Sequence, residues 1–138
     1  MITMPANAEN GNREATILIR VCGIRLAAEL DRSSTARAMI AALPFEGRVN
    51  VWGQEIYFEI PVELPLAADA RAELAVGDVA YWPQGRAMCI FFGPTPASID
   101  DAPRAYSPVN RFGRVAGDAT LLNGVADGAT VTVTLQTI

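Results

Sequence analysis

The sequence contains no histidine and no lysine, because all eleven of its basic residues are arginine. Ser-His and Cys-His nucleophile activation, histidine-ligated zinc or iron, and Schiff-base chemistry each need one of these side chains. These mechanisms are therefore excluded for a site built from one copy of the chain. Carboxylates, tyrosines, arginines and hydroxyls remain, and we expect neither a bound metal ion nor a cofactor.

Long apolar runs and basic runs are also missing. No apolar stretch approaches the roughly 20 residues that a membrane-spanning helix needs. The arginines are scattered among fifteen acidic residues, and the net charge is −4. Such a chain offers no electrostatic footprint for nucleic acid or an anionic membrane. We expect a soluble protein without a nucleic-acid or membrane partner.

Cysteine is scarce, with Cys22 and Cys89 both inside apolar runs. We expect two buried free thiols rather than a disulfide framework. Residues 1–14 are polar and lack the basic and then apolar pattern of a secretory signal. The sequence predicts a flexible leader over 1–14 and one domain over 15–138, in a bacterial, cytoplasmic protein.

Apolar and polar residues alternate from Thr16 to Leu30, which predicts a β-hairpin with a tight turn at Cys22-Gly23. One short helix follows, capped by Ser33 or Ser34 and ended by Pro44. Its apolar stripe recurs at helical spacing. The stripe consists of Ala36, Met39, Ile40 and Leu43.

The rest of the chain has strand character. Strands are predicted over 48–52, 54–60, 78–82, 86–92, 109–115 and 129–136. A loop, with a short helix as the alternative, is expected over 66–74, and a long surface connection over 93–108. With the hairpin this makes about eight strands, the number at which side chains just fill a closed barrel. The sequence therefore predicts an all-β fold with one short helix, a closed or nearly closed eight-stranded barrel.

Three segments resemble the cyclophilins, and they occur in the same order. LDRSSTA at 30–36 resembles the start of a cyclophilin helix, and IFF at 90–92 resembles the strand that lines the proline pocket. NRFGRVAG at 110–117 resembles a cyclophilin strand and turn. The resemblance implies a cyclophilin-like barrel.

Three further blocks resemble a small prokaryotic family of cyclophilin-like proteins of unknown function. They are WGQEIYF at 52–58, GDVAYWP at 77–83 and FFGPTP at 91–96. This resemblance spans about residues 15 to 120 and brings no established activity. Cyclophilins carry their catalytic arginine in a Phe-His-Arg strand, and RVNVW at 48–52 has no arginine at the matching position. The resemblance therefore disfavours proline isomerisation, and Phe92 is the pocket position that matches.

The strand predicted over 54–60 carries Glu55, Tyr57 and Glu59 on one face. One interpretation is that Glu55 and Tyr57 point into a small-molecule cleft with apolar walls, where they are also the candidate catalytic pair. The rim of this cleft would consist of Tyr81, Trp82 and Phe92. The alternative is that both glutamates lie on the solvent face of an antiparallel strand.

Two more residues complete the candidate ligand site. Thr95 lies in the glycine- and proline-defined turn at 93–96, which either shapes the pocket rim or serves as a rigid connection. Arg111 either holds a carboxylate ligand or pairs with Asp100 or Asp101 on the surface. The candidate ligand-binding residues are Glu55, Tyr57, Tyr81, Trp82, Phe92, Thr95 and Arg111.

Three functions fit these residues. The first is a binding module for a small molecule or a short, proline-containing peptide. The second is a prolyl isomerase with a displaced catalytic arginine, namely Arg48, Arg86 or Arg111. The third is an enzyme, or an accessory subunit of one, that uses Glu55 and Tyr57 on a small amide or lactam. Aromatic residues near Tyr81 also suit a homodimer contact.

Overall fold

The computed structural model describes residues 15–136, so the leader predicted over 1–14 lies outside the described residues. The described chain forms ten strands, one α-helix and two 3₁₀ turns, Pro83–Gly85 and Ala119–Leu122. The strands are β1 (Ala15–Val21), β2 (Ile24–Leu30), β3 (Phe45–Arg48), β4 (Asn50–Val51), β5 (Glu55–Glu59), β6 (Arg71–Glu73), β7 (Asp78–Trp82), β8 (Ala87–Phe91), β9 (Arg104–Val115) and β10 (Thr130–Leu135). The helix is α1 (Ser34–Ala42).

The strands form one antiparallel sheet that curls back on itself. Hydrogen bonds connect them in the order β3-β10-β1-β2-β9-β7-β8-β5-β4, and β6 pairs with β9 beside this path. The two ends of the path, β3 and β4, are separated along the chain by Val49 alone. Val49 donates its amide to Ala129 O at 2.9 Å and accepts from Gly128 N at 2.7 Å. The predicted all-β, nearly closed barrel is confirmed.

The first hairpin has the predicted turn. Val21 pairs with Ile24, and between them Cys22 and Gly23 both have positive φ, 52° and 76°. Two successive positive φ angles give a turn whose twist matches that of the flanking strands. This turn exposes Cys22, so the predicted burial of this thiol is wrong, whereas Cys89 is buried as expected.

The helix α1 begins at the predicted serine cap. Ser33 Oγ accepts a hydrogen bond from Ala36 N at 3.1 Å, which satisfies one of the free amides at the helix start. Ala36 and Met39 are buried against the barrel, and the helix ends at Ala42, two residues before Pro44. No helix among residues 15–136 is long and apolar enough to cross a membrane.

Apolar side chains fill two regions on opposite sides of the barrel wall. The barrel core lies inside and includes Ile56, Phe58, Met88, Ile90 and Phe112. A smaller outer cluster lies on the opposite face of the wall and consists of Leu74, Ala80, Cys89, Phe91, Ala105 and Val109. All five residues of β8 are buried because alternate side chains of this strand enter the two regions.

Three predicted boundaries are wrong. The strand predicted over 48–52 is divided at Val49, where the chain passes from β3 to β4. The loop predicted over 66–74 contains β6. The connection predicted over 93–108 ends earlier, because β9 begins at Arg104.

The early start of β9 depends on an irregular pairing with β6. Glu73 pairs with Arg104 and Arg71 pairs with Val109, so two steps along β6 correspond to five along β9. A bulge of this kind accommodates Pro108, which has no amide to donate to a regular ladder. Proline and serine in this stretch indicate a loop by composition, and the bulge explains why a strand forms there.

Tyr81 illustrates how the barrel core holds a polar atom. Its fully buried hydroxyl donates to Val62 O at 2.8 Å and accepts from Leu64 N at 3.2 Å. These two bonds attach the segment after β5 to the middle of β7. Removal of the hydroxyl would leave both backbone groups without this partner.

We expect Tyr81→Phe to lower the free energy of unfolding by about 1–3 kcal/mol, the usual cost of buried polar groups left unsatisfied. Urea denaturation followed by circular dichroism measures this change. Tyr106→Phe is the matched control, because the Tyr106 side chain is largely exposed. Equal losses in the two variants would contradict the role of the Tyr81 hydroxyl.

Candidate functional site

A cavity of about 230 Å³ lies on the outer face of the barrel wall, beside the outer cluster. Strands β5, β7, β8 and β9 contribute to it, together with the turn between β4 and β5. Its lining consists of Trp52, Glu55, Tyr57, Trp82, Cys89, Ala105, Tyr106 and Val109. The cavity therefore combines one carboxyl group with mainly apolar and aromatic walls.

The alternation of β5 directs Glu55 and Tyr57 towards this cavity. Ile56 and Phe58 enter the barrel core, so their neighbours must point away from it. The outward face is covered at this position, and Glu55 is only 5% exposed. Glu55 is therefore not a solvent-face residue, in contrast to exposed Glu59, which pairs with Arg86 at 3.0 Å.

The carboxyl group of Glu55 is electrostatically unusual. Its Oε1 atom is buried and has no hydrogen-bond partner. Burial raises the pKa of Glu55 to about 8, although the polar thiol of neighbouring Cys89 lowers it in part. The same surroundings, burial first and then the Glu55 carboxyl, raise the pKa of the Cys89 thiol. At neutral pH both groups are therefore mainly protonated.

Four aromatic side chains, which we call the aromatic wall, stand edge to face in one continuous series. The ring centroids of Trp52 and Tyr106 are 6.2 Å apart, those of Tyr106 and Trp82 are 6.1 Å apart, and those of Trp82 and Tyr57 are 6.0 Å apart. The interplanar angles are 76°, 77° and 82°. Edge-to-face contacts at this distance are favourable for aromatic rings, so the four side chains support one another.

Trp82 is held in place by contacts on two sides. Its indole Nε1 donates a hydrogen bond to Ser107 Oγ at 2.8 Å, and Ser107 lies in the bulged part of β9. On the other side the chain passes close to the ring at Gly85, where a Cβ atom would lie 2.6 Å from the indole. A larger residue at position 85 would clash with the indole in this position.

Trp52 is positioned by the tight turn between β4 and β5. Trp52 and Glu55 exchange two backbone hydrogen bonds, of 2.9 and 3.2 Å. Gly53 has a φ of +61°, and a Cβ there would lie 2.7 Å from Pro96 Cδ. The 93–96 turn thus supports the turn that carries Trp52.

Thr95 belongs to this supporting turn and does not line the cavity. Its hydroxyl donates to Arg104 O, and its amide donates to Ser98 Oγ at 2.9 Å. These bonds connect the turn to the start of β9. These contacts favour the interpretation of the 93–96 turn as a rigid connection over its interpretation as a pocket rim.

The structure brings Glu55, Tyr57 and Trp82 together and places the other candidates elsewhere. Tyr81 precedes Trp82 in β7 and therefore points to the opposite face, into the barrel core. Phe92 also lies in the barrel core. Neither side chain lines the cavity, because both point to the inner face of the barrel wall and the cavity lies on the outer face.

None of the arginines considered for a displaced isomerase residue lines the cavity. Arg111 pairs with buried Asp78 at 2.8 Å, so the predicted pairing with Asp100 or Asp101 is wrong. Arg86 pairs with Glu59, and Arg48 donates to a backbone carbonyl at 3.4 Å. Proline isomerisation stays a prediction, without a supporting contact in this cavity.

Several lining residues, among them Trp52, Cys89 and Tyr106, were not predicted from the sequence. Tyr106 lies in the stretch interpreted as a loop. The available signal was the unbroken apolar run AMCIF in β8, because such runs are typical of strands covered on both faces. A strand covered on both faces implies a second layer over the outer face of the wall, and such a layer would bury Glu55. Among residues 15–136 no group of three or more possible ligands is placed to hold a metal ion.

The nearly closed antiparallel barrel with one helix fits a cyclophilin-like fold. The chain belongs to the cyclophilin-like family, whose model matches residues 15–134. The solution structure of a hypothetical protein from Archaeoglobus fulgidus is similar, with a TM-score of 0.77 and 38% sequence identity. The match covers 91% of this chain and 97% of that one. No curated protein matches significantly. The family resemblance is confirmed, and these matches name no activity.

The raised pKa of Glu55 predicts a pH-dependent stability. The ordinary pKa of 4.5 applies to the unfolded chain and about 8 to the folded one, so between these values the folded state retains a proton that the unfolded state releases. The contribution to stability is complete below pH 4.5 and is lost as the pH rises through 8. Between these two pKa values the free energy of unfolding falls by at most about 1.4 kcal/mol per pH unit.

We expect Glu55→Gln to remove this dependence, so that the variant gains stability relative to the wild type as the pH rises. Urea unfolding at several values between about pH 5 and 9 measures the difference. Glu59→Gln is the matched control on the same face of β5, where the carboxyl group is exposed. Parallel profiles for wild type and Glu55→Gln would contradict the raised pKa.

Proposed function

We propose that the protein binds a small molecule, or a short segment of a peptide, in the cavity beside Glu55. The observation that carries this proposal is the buried Oε1 atom of Glu55, which has no partner and belongs to a carboxyl group that lines a cavity. Buried polar atoms in folded proteins nearly always have a partner, and an exception requires an explanation.

The energetic cost of the unpaired atom supports a ligand. An unsatisfied buried polar group costs about 1–3 kcal/mol, which a hydrophobic residue at the same position would avoid. A ligand in the cavity would provide the missing partner and recover this free energy. The combination of apolar walls and one fixed polar group is typical of small-molecule sites.

The outer edge of the cavity supports entry from solvent. The Tyr106 side chain is 73% exposed, although its ring contacts both tryptophans of the aromatic wall. Trp52 and Trp82 are half-buried. A ligand would therefore reach Glu55 past Tyr106 without a change in the barrel.

A ligand screen by NMR tests this proposal, with neutral, anionic and cationic compounds added to isotope-labelled protein. We expect ligands to shift the indole signals of Trp52 and Trp82, and Tyr57→Ala to weaken binding at least about tenfold. Leu121→Ala, at an exposed position outside the cavity, is the control and should bind as the wild type does. The proposal fails if no compound in any charge class shifts the cavity signals.

The pKa of about 8 for Glu55 favours a second candidate function, general acid–base catalysis. A carboxyl group whose pKa is near the working pH can both donate and accept a proton efficiently. Tyr57 lines the same cavity and is its candidate partner. The substrate class is a small amide or lactam, acted on by this protein alone or as an accessory subunit.

Hydrolysis of small amides and lactams as a function of pH tests the second candidate. We expect a rate that titrates with a pKa of about 8 and falls at least about a hundredfold in Glu55→Gln, because a glutamine amide cannot transfer the proton. The Glu55→Gln variant should retain binding of the neutral substrate. Binding without turnover in the wild type would exclude catalysis and leave the binding function.

A further inference from the structure

The rings of the aromatic wall are not arranged as the parallel walls of a slot. Each of its three neighbouring ring pairs is nearly perpendicular, with interplanar angles of 76–82°. Parallel rings at stacking distance would suit a flat ligand, whereas perpendicular rings turn their faces in different directions. This arrangement suits a compact, rounded group.

Ring faces carry negative electrostatic potential, so a cavity lined by several aromatic rings favours a positive charge inside it. Tryptophan is the best of the aromatic residues for this interaction, and both tryptophans of the chain belong to the wall. The rings themselves thus select for a cation.

Among residues 15–136, no positively charged side chain lines the cavity beside Glu55. The lining contains no arginine, and the chain has no lysine or histidine. Arg86, Arg104 and Arg111 form ion pairs with Glu59, Glu73 and Asp78. The ionised form of Glu55 therefore lacks a counter-charge that a cationic ligand would provide.

The polar groups of the lining also restrict the kind of cation. A primary ammonium group has three N–H donors that each need an acceptor, and the lining side chains offer few acceptors besides the Glu55 carboxyl group. A fully alkylated ammonium group has no N–H donor and needs no such partners. The cavity of about 230 Å³ is smaller than the sites of drug-sized ligands, so a small head group fits it.

Building on the binding function proposed above, we propose that the cavity binds an alkylated ammonium cation, with the four rings of the aromatic wall around it and Glu55 as its counter-ion. The cation is either a free small molecule or the methylated amine of a peptide side chain. Both sources present the same chemical group.

Cation binding would be coupled to release of the Glu55 proton. Among residues 15–136, the other ionisable side chains that line the cavity with Glu55 are Tyr57 on its own strand, Cys89 on β8 and Tyr106 on β9, while β7 contributes the neutral Trp82. Burial holds the pKa of the Cys89 thiol above its usual range, so this thiol stays protonated near neutral pH. Below pH 8 the apparent affinity for a cation should therefore fall about tenfold per pH unit.

Isothermal titration calorimetry with choline, and with its neutral carbon isostere 3,3-dimethylbutan-1-ol, tests the proposal. We expect choline to bind at least about tenfold more tightly than the isostere and to bind more tightly as the pH rises from about 6 to 8. Glu55→Gln and Tyr106→Leu should each weaken choline binding, and the exposed position of Tyr106 keeps the second variant folded. Glu59→Gln should bind choline as the wild type does.

Two peptides, one with a trimethyllysine and one with the unmodified lysine, distinguish the source of the cation. Tighter binding of the methylated peptide than of choline would indicate a peptide ligand, and the reverse a free metabolite. Equal affinity for choline and its neutral isostere would overturn the cation proposal and leave the binding function intact. Absence of binding for both cationic probes, while a compound of the NMR screen occupies the cavity, would also overturn it.

Discussion

Strand β8 is buried on both faces, and the outer half of the structure depends on this constraint. Met88 and Ile90 enter the barrel core, while Cys89 and Phe91 point outwards. A barrel wall with these side chains exposed would leave a large apolar patch in water. The chain covers the patch with the first half of β9 and the short strand β6, which form a second layer on this side of the barrel.

The second layer changes the environment of Glu55 from solvent to protein interior. On a bare antiparallel wall, an acidic residue on the face opposite to Ile56 and Phe58 would be an ordinary surface residue, as Glu59 is four residues later. Under the second layer the same side chain loses hydration and keeps its proton near neutral pH. Burial under the second layer thus changes the proton affinity of Glu55. Residues that depart from the local pattern in this way are expected at functional sites.

The elements that the sequence predicted well are those governed by local patterns. Alternation and the Cys22-Gly23 turn define the first hairpin, and Ser33 and Pro44 bracket the helix. The site was predicted in part, because the alternation of β5 places Glu55 and Tyr57 on one face but does not say what covers that face. Of the adjacent residues Tyr81 and Trp82, the sequence does not indicate which one points into the barrel core. The strand that carries Tyr106 was not predicted, because its pairing with β6 is interrupted by a bulge. The cover of β5, the orientation of β7 and the bulge in β9 all depend on long-range contacts, which no local sequence pattern encodes.

The aromatic wall also makes the protein its own optical reporter. Trp52 and Trp82 are the two tryptophans of the chain, and both line the cavity within one ring of Tyr106. The whole indole emission of the protein therefore originates from this small region of the surface. Ionisation of the neighbouring carboxyl group, or a molecule seated between the rings, changes the polarity and quenching around every emitting indole at once. Tryptophan fluorescence of the unlabelled protein thus reports on the cavity itself.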